Sequence, residues 1–68
     1  MKQPFQKGDR VDCIGFEGKI YRGTVVKCME IDNGYTCFIR VEVRLDVKGV
    51  MMNFNWSLFP DRIKKAEV

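Results

Sequence analysis

The strict alternation of apolar and polar residues from Thr36 to Leu45 constrains the fold of this chain more than any other feature. The odd positions carry Cys, Ile, Val, Val and Leu, and the even positions carry Thr, Phe, Arg, Glu and Arg. Successive side chains on a β-strand point to opposite faces of the sheet, so this pattern predicts an antiparallel strand with one buried face. No window has the 3.6-residue apolar period of a helix, and we therefore expect an all-β domain.

Turn residues divide the remaining sequence into four further strands. We expect these strands at residues 10–14, 19–30, 50–56 and 63–66, with Gly23 bending or bulging the long second strand. Asn33-Gly34 predicts a type I′ hairpin turn, because both residue types tolerate the positive φ angles that this turn requires. Pro60 ends pairing after the fourth strand, in a short segment that fits a 3₁₀ turn.

The strands belong to one small domain that spans residues 1–68. A long bent second strand, tight hairpins and a 3₁₀ turn before the last strand predict a small five-stranded SH3-like barrel. Such closure removes exposed strand edges while side chains fill the small interior. The expected core consists of Val11, Cys13, Ile20, Val25, Cys37, Ile39, Val41, Val43, Met52, Phe54, Leu58 and Ile63.

Missing residue types exclude most catalytic and metal-binding constellations. The chain has no His, which removes Ser-His-Asp and Cys-His nucleophile sites and His-ligated zinc from a single chain. Cys13, Cys28 and Cys37 contain no C-x-x-C pair, and their odd number argues against a disulfide framework. We therefore expect three reduced thiols, no catalytic residue, no cofactor and no metal.

Three short motifs resemble the SH3-like superfamily that includes KOW and Tudor domains. Residues 8–11 read Gly-Asp-Arg-Val, like the G-D-x-V that opens the first strand of those domains, and residues 23–25 match their G-x-V. Residues 58–63, which read Leu-Phe-Pro-Asp-Arg-Ile, complete the resemblance. It covers nearly the whole chain and implies a fold more than a chemistry. The A-L-Y-D-Y stretch of SH3 domains that bind Pro-rich ligands is absent, so that activity is not implied.

A narrower resemblance is to the plasmid-borne type II dihydrofolate reductases, which are short SH3-like barrels. The shared features are Gly-Asp-Arg-Val at residues 8–11, Tyr35 after the central turn, and Arg62-Ile63. That family works as a homotetramer around a central pore, whose walls come from a Val-Gln-Ile-Tyr stretch. Residues 53–56 read Asn-Phe-Asn-Trp at that place. The resemblance therefore leaves out the pore residues, and a reductase with a site shared between subunits is the third functional hypothesis.

The polar face of the third strand is the main candidate for a binding surface. That strand contributes Phe38, Arg40 and Arg44, and nearby segments add Tyr21, Arg22 and Tyr35. Bases stack on aromatic rings while guanidinium groups contact phosphates, so this set is typical of a KOW-like nucleic-acid surface. The alternative is a solvated face of alternating charge, on which Phe38 covers the barrel. The net charge of +3 is modest for a nucleic-acid-binding protein.

Two further features point to partners or to protection from them. Adjacent Met51 and Met52 point to opposite faces of a strand, and Met51 on the outer face would offer an apolar contact to a partner protein or a second copy. Arg62, Lys64 and Lys65 form the densest basic cluster. Lysines on a short edge strand commonly prevent pairing with another chain, and phosphate contact is the alternative.

Together these features predict a non-catalytic binding module. Protein–protein interaction or self-association is the leading expectation, and KOW-like nucleic-acid binding through Phe38, Arg40 and Arg44 is the alternative. No apolar run is long enough to span a bilayer, and no apolar signal segment follows the first residues, so we expect a cytoplasmic protein without a membrane partner. A small chain without an enzyme motif would suit an accessory protein of a mobile element or a phage.

Overall fold

The computed structural model describes residues 4–66, and within that range the chain is built from strands and 3₁₀ turns. The strands are β1 (Arg10–Ile14), β2 (Ile20–Asp32), β3 (Cys37–Leu45), β4 (Met51–Asn55) and β5 (Ile63–Lys65). The 3₁₀ turns are Phe16–Gly18 and Pro60–Arg62. The all-β class, the five strands and the 3₁₀ turn before the last strand are therefore confirmed. No helix in the described range is long and apolar enough to cross a membrane.

All five strands join one antiparallel sheet in the order β4-β3-β2-β1-β5. The long β2 pairs with both β1 and β3, so that Gly23 lies opposite Val11 on one side and Leu45 on the other. The first strand lies between the second and the last. Strands β4 and β5 are the two edges of the sheet.

One buried cluster fills the concave side of the sheet. Its members are Phe5, Val11, Cys13, Val25, Ile39, Val41, Val43, Leu45, Phe54 and Ile63. Alternate residues of β3 are buried from Ile39 to Leu45, as the sequence pattern predicts. Met52 and Trp56 are half-buried against this cluster.

Three predicted core residues lie at the surface. Ile20 is 64% exposed, because it begins β2 opposite Ile14 at the end of the paired region. Leu58 is 69% exposed in the turn that follows β4. Cys37 is exposed at the first position of β3, opposite Asp32 and beyond the core. The prediction of a buried face is thus wrong at the ends of the pattern, where no neighbouring layer covers the strand.

The predicted bulge exists but lies at Val26, where the β2–β3 register shifts between Val25 and Lys27. Gly23 pairs regularly on both sides, so the prediction of its position is wrong. A different constraint acts on Gly23, since a Cβ atom there would lie 2.6 Å from the Arg44 carbonyl oxygen. Glycine is required because β2 and β3 approach each other too closely for a side chain.

The type I′ geometry also belongs to a different turn. Lys48 and Gly49 have φ angles of 58° and 63°, and Val50 N–H donates to the Val47 carbonyl across them. Two consecutive positive φ angles are what a type I′ turn requires. At Asn33-Gly34, by contrast, Gly34 alone has a positive φ, and the chain makes a longer loop before β3.

Candidate functional site

The outer face of the sheet brings together four of the predicted binding residues. Phe38, Arg40 and Arg44 occupy alternate positions of β3 and point away from the core. Arg44 lies opposite Met51 of β4, so these two side chains are cross-strand neighbours. Phe38 is half-buried at the opposite end of the strand, opposite Ile31 of β2.

The remaining three predicted residues lie on β2 or at a loop tip. Arg22 shares the outer face, but its Nε donates to Asp12 Oδ1 at 3.1 Å. Tyr21 packs against the buried core on the other face of the sheet. Tyr35 is 96% exposed at the tip of the β2–β3 loop. The predicted set therefore divides between the two faces and a loop tip.

Charges on the outer face are unevenly paired. Arg10 and Asp46 form a bidentate ion pair, and Arg10 also donates to Thr24 Oγ1 at 2.7 Å. The hydrogen bond from Arg10 holds the pKa of Asp46 below its ordinary value. Arg40 differs, because its Nε is buried without a hydrogen-bond partner among residues 4–66. Arg44 likewise makes no ion pair within the described range.

A groove beside β4 was not predicted from the sequence. Its larger part has a volume of about 350 Å³ and is lined by Ile14, Gly15, Met52, Asn53, Phe54, Asn55, Phe59 and Arg62. A smaller part of about 270 Å³ is lined by Gly15, Tyr21, Leu45, Val47, Val50 and Met52. Gly15 and Met52 line both parts, so the two are adjacent. We call this feature the β4 groove.

Apolar side chains that remain in contact with water surround the β4 groove. Val47, Val50 and Phe59 line it and are each about half exposed. Exposed apolar side chains around a concave surface are typical of an interaction site.

The turn after β4 forms one end of the groove. Leu58 N–H and Phe59 N–H both donate to the carbonyl oxygen of Asn55, at 3.2 and 3.0 Å. Arg62 N–H in turn donates to the Phe59 carbonyl at 3.1 Å. These bonds fold the chain back on itself, so that the Phe59 ring and the Arg62 side chain both line the groove.

Gly15 allows the β1–β2 connection to approach the groove. A Cβ atom at this position would lie 2.8 Å from Cε2 of the Tyr21 ring, so that ring lies directly over the glycine. Gly15 N–H donates to the Lys19 carbonyl at 2.8 Å and closes the loop. Tyr21 is the one predicted site residue whose side chain lines the groove.

The backbone of β4 is hydrogen-bonded to a strand on one side alone. Leu45 N–H donates to the Val50 carbonyl at 2.8 Å, which places this pair in the hydrogen-bonded set of the β3–β4 ladder. Because hydrogen bonding alternates along antiparallel strands, the N–H and C=O groups of Met51 and Asn53 point away from β3. The sheet has no strand on that side within residues 4–66.

Arg62 is the charged residue of the groove lining. Its guanidinium carbon lies 5.9 Å from the centre of the Phe59 ring, a distance at which a cation is attracted to the ring face. No carboxylate pairs with Arg62 among the described residues. The groove therefore presents apolar walls, free backbone groups and one positive charge.

Thiol chemistry is disfavoured at two of the three cysteines. Burial raises the pKa of Cys13 to about 11. Cys37 is exposed, but its thiol donates to Glu30 Oε1 at 2.9 Å, and this hydrogen bond raises its pKa as well. Nucleophilic attack and metal ligation both require the thiolate. Residues 4–66 contain no cluster of three His, Cys, Asp or Glu side chains that could hold a metal ion.

Sequence reasoning missed the groove because five separate segments build it, but one signal was present. Residues 49–60 carry no charged side chain, although 31% of the chain is charged. An uncharged stretch that includes a whole edge strand and the following turn is typical of a surface that contacts another segment or another protein.

Comparisons with protein-family models, with curated proteins and with solved structures each found no match for this chain.

Proposed function

We propose that this chain is a non-catalytic module that binds another protein through the β4 groove. The observation that carries the proposal is the presence of two adjacent apolar clefts beside the edge strand β4, with exposed Val47, Val50 and Phe59 at their walls. Binding sites are typically concave, mostly apolar and supplied with a few polar groups that set orientation. The free backbone groups of β4 and the Arg62 guanidinium supply those polar groups.

The test is selection of binders from a displayed library of random linear 12-residue peptides, followed by affinity measurement on purified variants. Phe59→Ala should weaken the selected peptides roughly tenfold, because it removes an aromatic wall of the groove. Leu58→Ala is the matched control, since Leu58 is exposed in the same turn but does not line the groove. It should change affinity less than about twofold. Equal effects of the two substitutions, or no selected binder, would contradict the proposal.

Self-association is the related hypothesis, and light-scattering mass measurement separates it from binding to a different protein. A stable dimer or tetramer that dissociates in the Phe59→Ala variant would assign the groove to a second copy of the chain. A monomer that binds selected peptides supports a foreign partner. The net charge of +3 repels identical copies weakly and favours the second outcome.

Nucleic-acid binding on the outer face is the second candidate. The observation that favours it is the state of Arg40 and Arg44, which lie on one face of β3 without ion-pair partners in the described range. Oligonucleotide binding that weakens steeply with salt, and is lost in an Arg40→Gln, Arg44→Gln double variant, would support this function. Binding that is insensitive to salt would argue against it.

Reductase activity at a site shared between subunits is the third hypothesis and rests on the sequence resemblance alone. It requires a tetramer, so a monomeric mass in the same light-scattering experiment would remove its mechanism.

A further inference from the structure

Resting on the proposed function, we propose that the partner is an extended segment that adds to β4 as a sixth strand and places a carboxylate against Arg62. The partner is thus defined by its chemistry. It has apolar side chains at alternate positions, a free backbone for pairing, and an Asp or Glu near one end.

The edge of β4 is suited to strand addition by its backbone. Met51 and Asn53 present N–H and C=O groups away from β3. The larger part of the groove is lined by β4 residues 52–55 and by no residue of β3. An added strand satisfies such groups directly, and its alternate side chains then point into the apolar groove. Main-chain hydrogen bonds supply affinity in this mode, while the groove that Phe54 and Phe59 line supplies specificity.

The composition of β4 leaves this edge open to pairing. Proteins ordinarily protect an edge strand with lysines, proline, short length or a covering segment. Strand β4 reads Met-Met-Asn-Phe-Asn and contains neither lysine nor proline. The other edge of the same sheet has protection, since β5 is three residues long and exposes Lys64 and Lys65.

Arg62 determines the charge of the added segment. It is the charged group of the groove lining, and no carboxylate neutralises it within residues 4–66. A partner carboxylate at this position would form a charge-assisted hydrogen bond beside the Phe59 ring. A second copy of β4 could not supply that group, because Met51–Asn55 contains no acidic residue. An acidic foreign segment therefore fits the groove better than a homotypic β4–β4 pair.

The first experiment compares one proline substitution at each edge, using a peptide obtained from the linear library. Asn53→Pro removes an N–H group that does not bond to β3, and proline is tolerated at such edge positions. Lys65→Pro is the matched control. Ala66 N–H donates to the Arg10 carbonyl, so by alternation the Lys65 N–H also points away from its neighbour β1. Asn53→Pro should weaken the peptide by roughly tenfold or more, and Lys65→Pro should leave its affinity unchanged.

A second measurement needs no variant at the edge. Amide hydrogen exchange of Met51 and Asn53 should slow at least tenfold when the peptide binds, because strand addition gives both N–H groups an acceptor. Unchanged exchange at both amides in the bound state would overturn the strand-addition model even if Asn53→Pro perturbs the fold.

Charge reversal tests the Arg62 contact. Arg62→Glu should weaken an acidic peptide by roughly tenfold, and replacing the peptide's Asp or Glu with Lys should restore part of that loss. Binding that is unaffected by Arg62→Glu, or selected peptides without an acidic residue, would overturn this part of the proposal.

The outcomes separate this inference from the function on which it rests. Peptides that lose affinity in Phe59→Ala but not in Asn53→Pro, and that leave both amides exchanging, would keep the groove as a binding site and reject strand addition. Peptides that ignore Phe59→Ala would reject the groove itself. A concentration-dependent dimer whose Met51 and Asn53 amides are protected without peptide would assign the edge to a second copy and overturn the foreign-partner proposal.

Discussion

The two edge strands of this sheet, β4 and β5, differ in how well their unpaired backbone groups are protected from pairing with another chain. Strand β5 is short and carries exposed Lys64 and Lys65. Lys65 Nζ lies 3.8 Å from Asp9 Oδ2. Strand β4 is longer, uncharged and bordered by an apolar groove. Strand length and side-chain charge therefore protect the β5 edge from pairing, and the β4 edge lacks the lysines. This difference is the basis of the proposal that a partner binds at the β4 edge.

Both edges nevertheless depend on one buried anchor each. Phe54 of β4 and Ile63 of β5 are the buried residues of their strands. The receptive edge is therefore docked on the core as firmly as the protected one, and its openness concerns its outer side. This distinction yields four predictions.

The largest expected effect is the loss of either anchor. Phe54→Ala should lower the free energy of unfolding by about 3–5 kcal/mol, and Ile63→Ala by about 2–5 kcal/mol, because each leaves a cavity in the core. Urea denaturation followed by Trp56 fluorescence measures both. A loss below about 1 kcal/mol for Phe54→Ala alone would mean that β4 is loosely docked, and the comparison of equally anchored edges would fail.

Thiol labelling reports the opening of the β5 edge. Cys13 is fully buried opposite Ile63, and burial raises its pKa to about 11. In a Cys28→Ser background at pH 8, Cys13 should react roughly 100-fold more slowly than in the unfolded chain. Its pKa is about 2 units above the ordinary value of 9.0, so the reactive thiolate is about 100 times scarcer.

Substitution of the two anchors sharpens this measurement. Ile63→Ala should accelerate Cys13 labelling, while Phe54→Ala should do so only through global unfolding. Exposed Cys37 provides an internal reference, and Glu30→Gln should speed its labelling, because the hydrogen bond that raises its pKa is weakened. Native labelling of Cys13 as fast as that of Cys37 would contradict a firmly closed β5 edge.

Gly23 lies at the centre of the sheet, where β2 pairs with both β1 and β3. Gly23→Ala should destabilise the fold by about 1–3 kcal/mol, because the added methyl group meets the Arg44 carbonyl and the Val43 side chain. Gly18→Ala and Gly34→Ala are unsuitable controls, since both glycines have positive φ angles. Ile20→Ala, at an exposed position of the same strand, is the better control. If Gly23→Ala costs no more than Ile20→Ala, the close approach of β2 and β3 is not real.

The smallest effect concerns the ion pair that links β1 to the end of β3. The hydrogen bond from Arg10 lowers the pKa of Asp46 below 3.8, so the pair stabilises the fold above that pH and is lost as the pH falls through the lowered value. Both groups are about half exposed, and the gain is small. Asp46→Asn should therefore flatten the acid limb of a stability-against-pH curve without changing peptide affinity at pH 7. An unchanged acid limb would contradict the stabilising role of the pair.

Much of the fold could be predicted because its signals are local. The alternation that ends at Leu45 identified the buried face of β3, since each residue's face is fixed by its parity along the strand. The 3₁₀ turn followed from Pro60, which cannot continue a ladder. Predictions failed where a neighbouring element decides the outcome, as at exposed Ile20 and Cys37.

The positions of the bulge and of the type I′ turn depended on pairing across the sheet. Gly23 is the flexible residue of β2, but the register shift lies at Val26. Strand β2 pairs with both β1 and β3 before this residue and with β3 alone after it. Asn33 and Gly34 are the residue types that a type I′ turn prefers. Asn33 Oδ1 instead accepts hydrogen bonds from the N–H groups of Tyr35 and Thr36, which stabilise a longer loop.

The sequence by itself determined the all-β class, the approximate strand positions and most of the core, because period-two patterning and turn residues act over a few neighbours. Only the tertiary structure decided the candidate site. The outer-face residues share one strand and could be grouped from sequence, whereas the β4 groove forms where Gly15, Val47 and Phe59 converge from distant segments. A concave surface depends on how a sheet curls and which edge remains unpaired. Those properties arise from contacts between strands, which no single stretch of residues records.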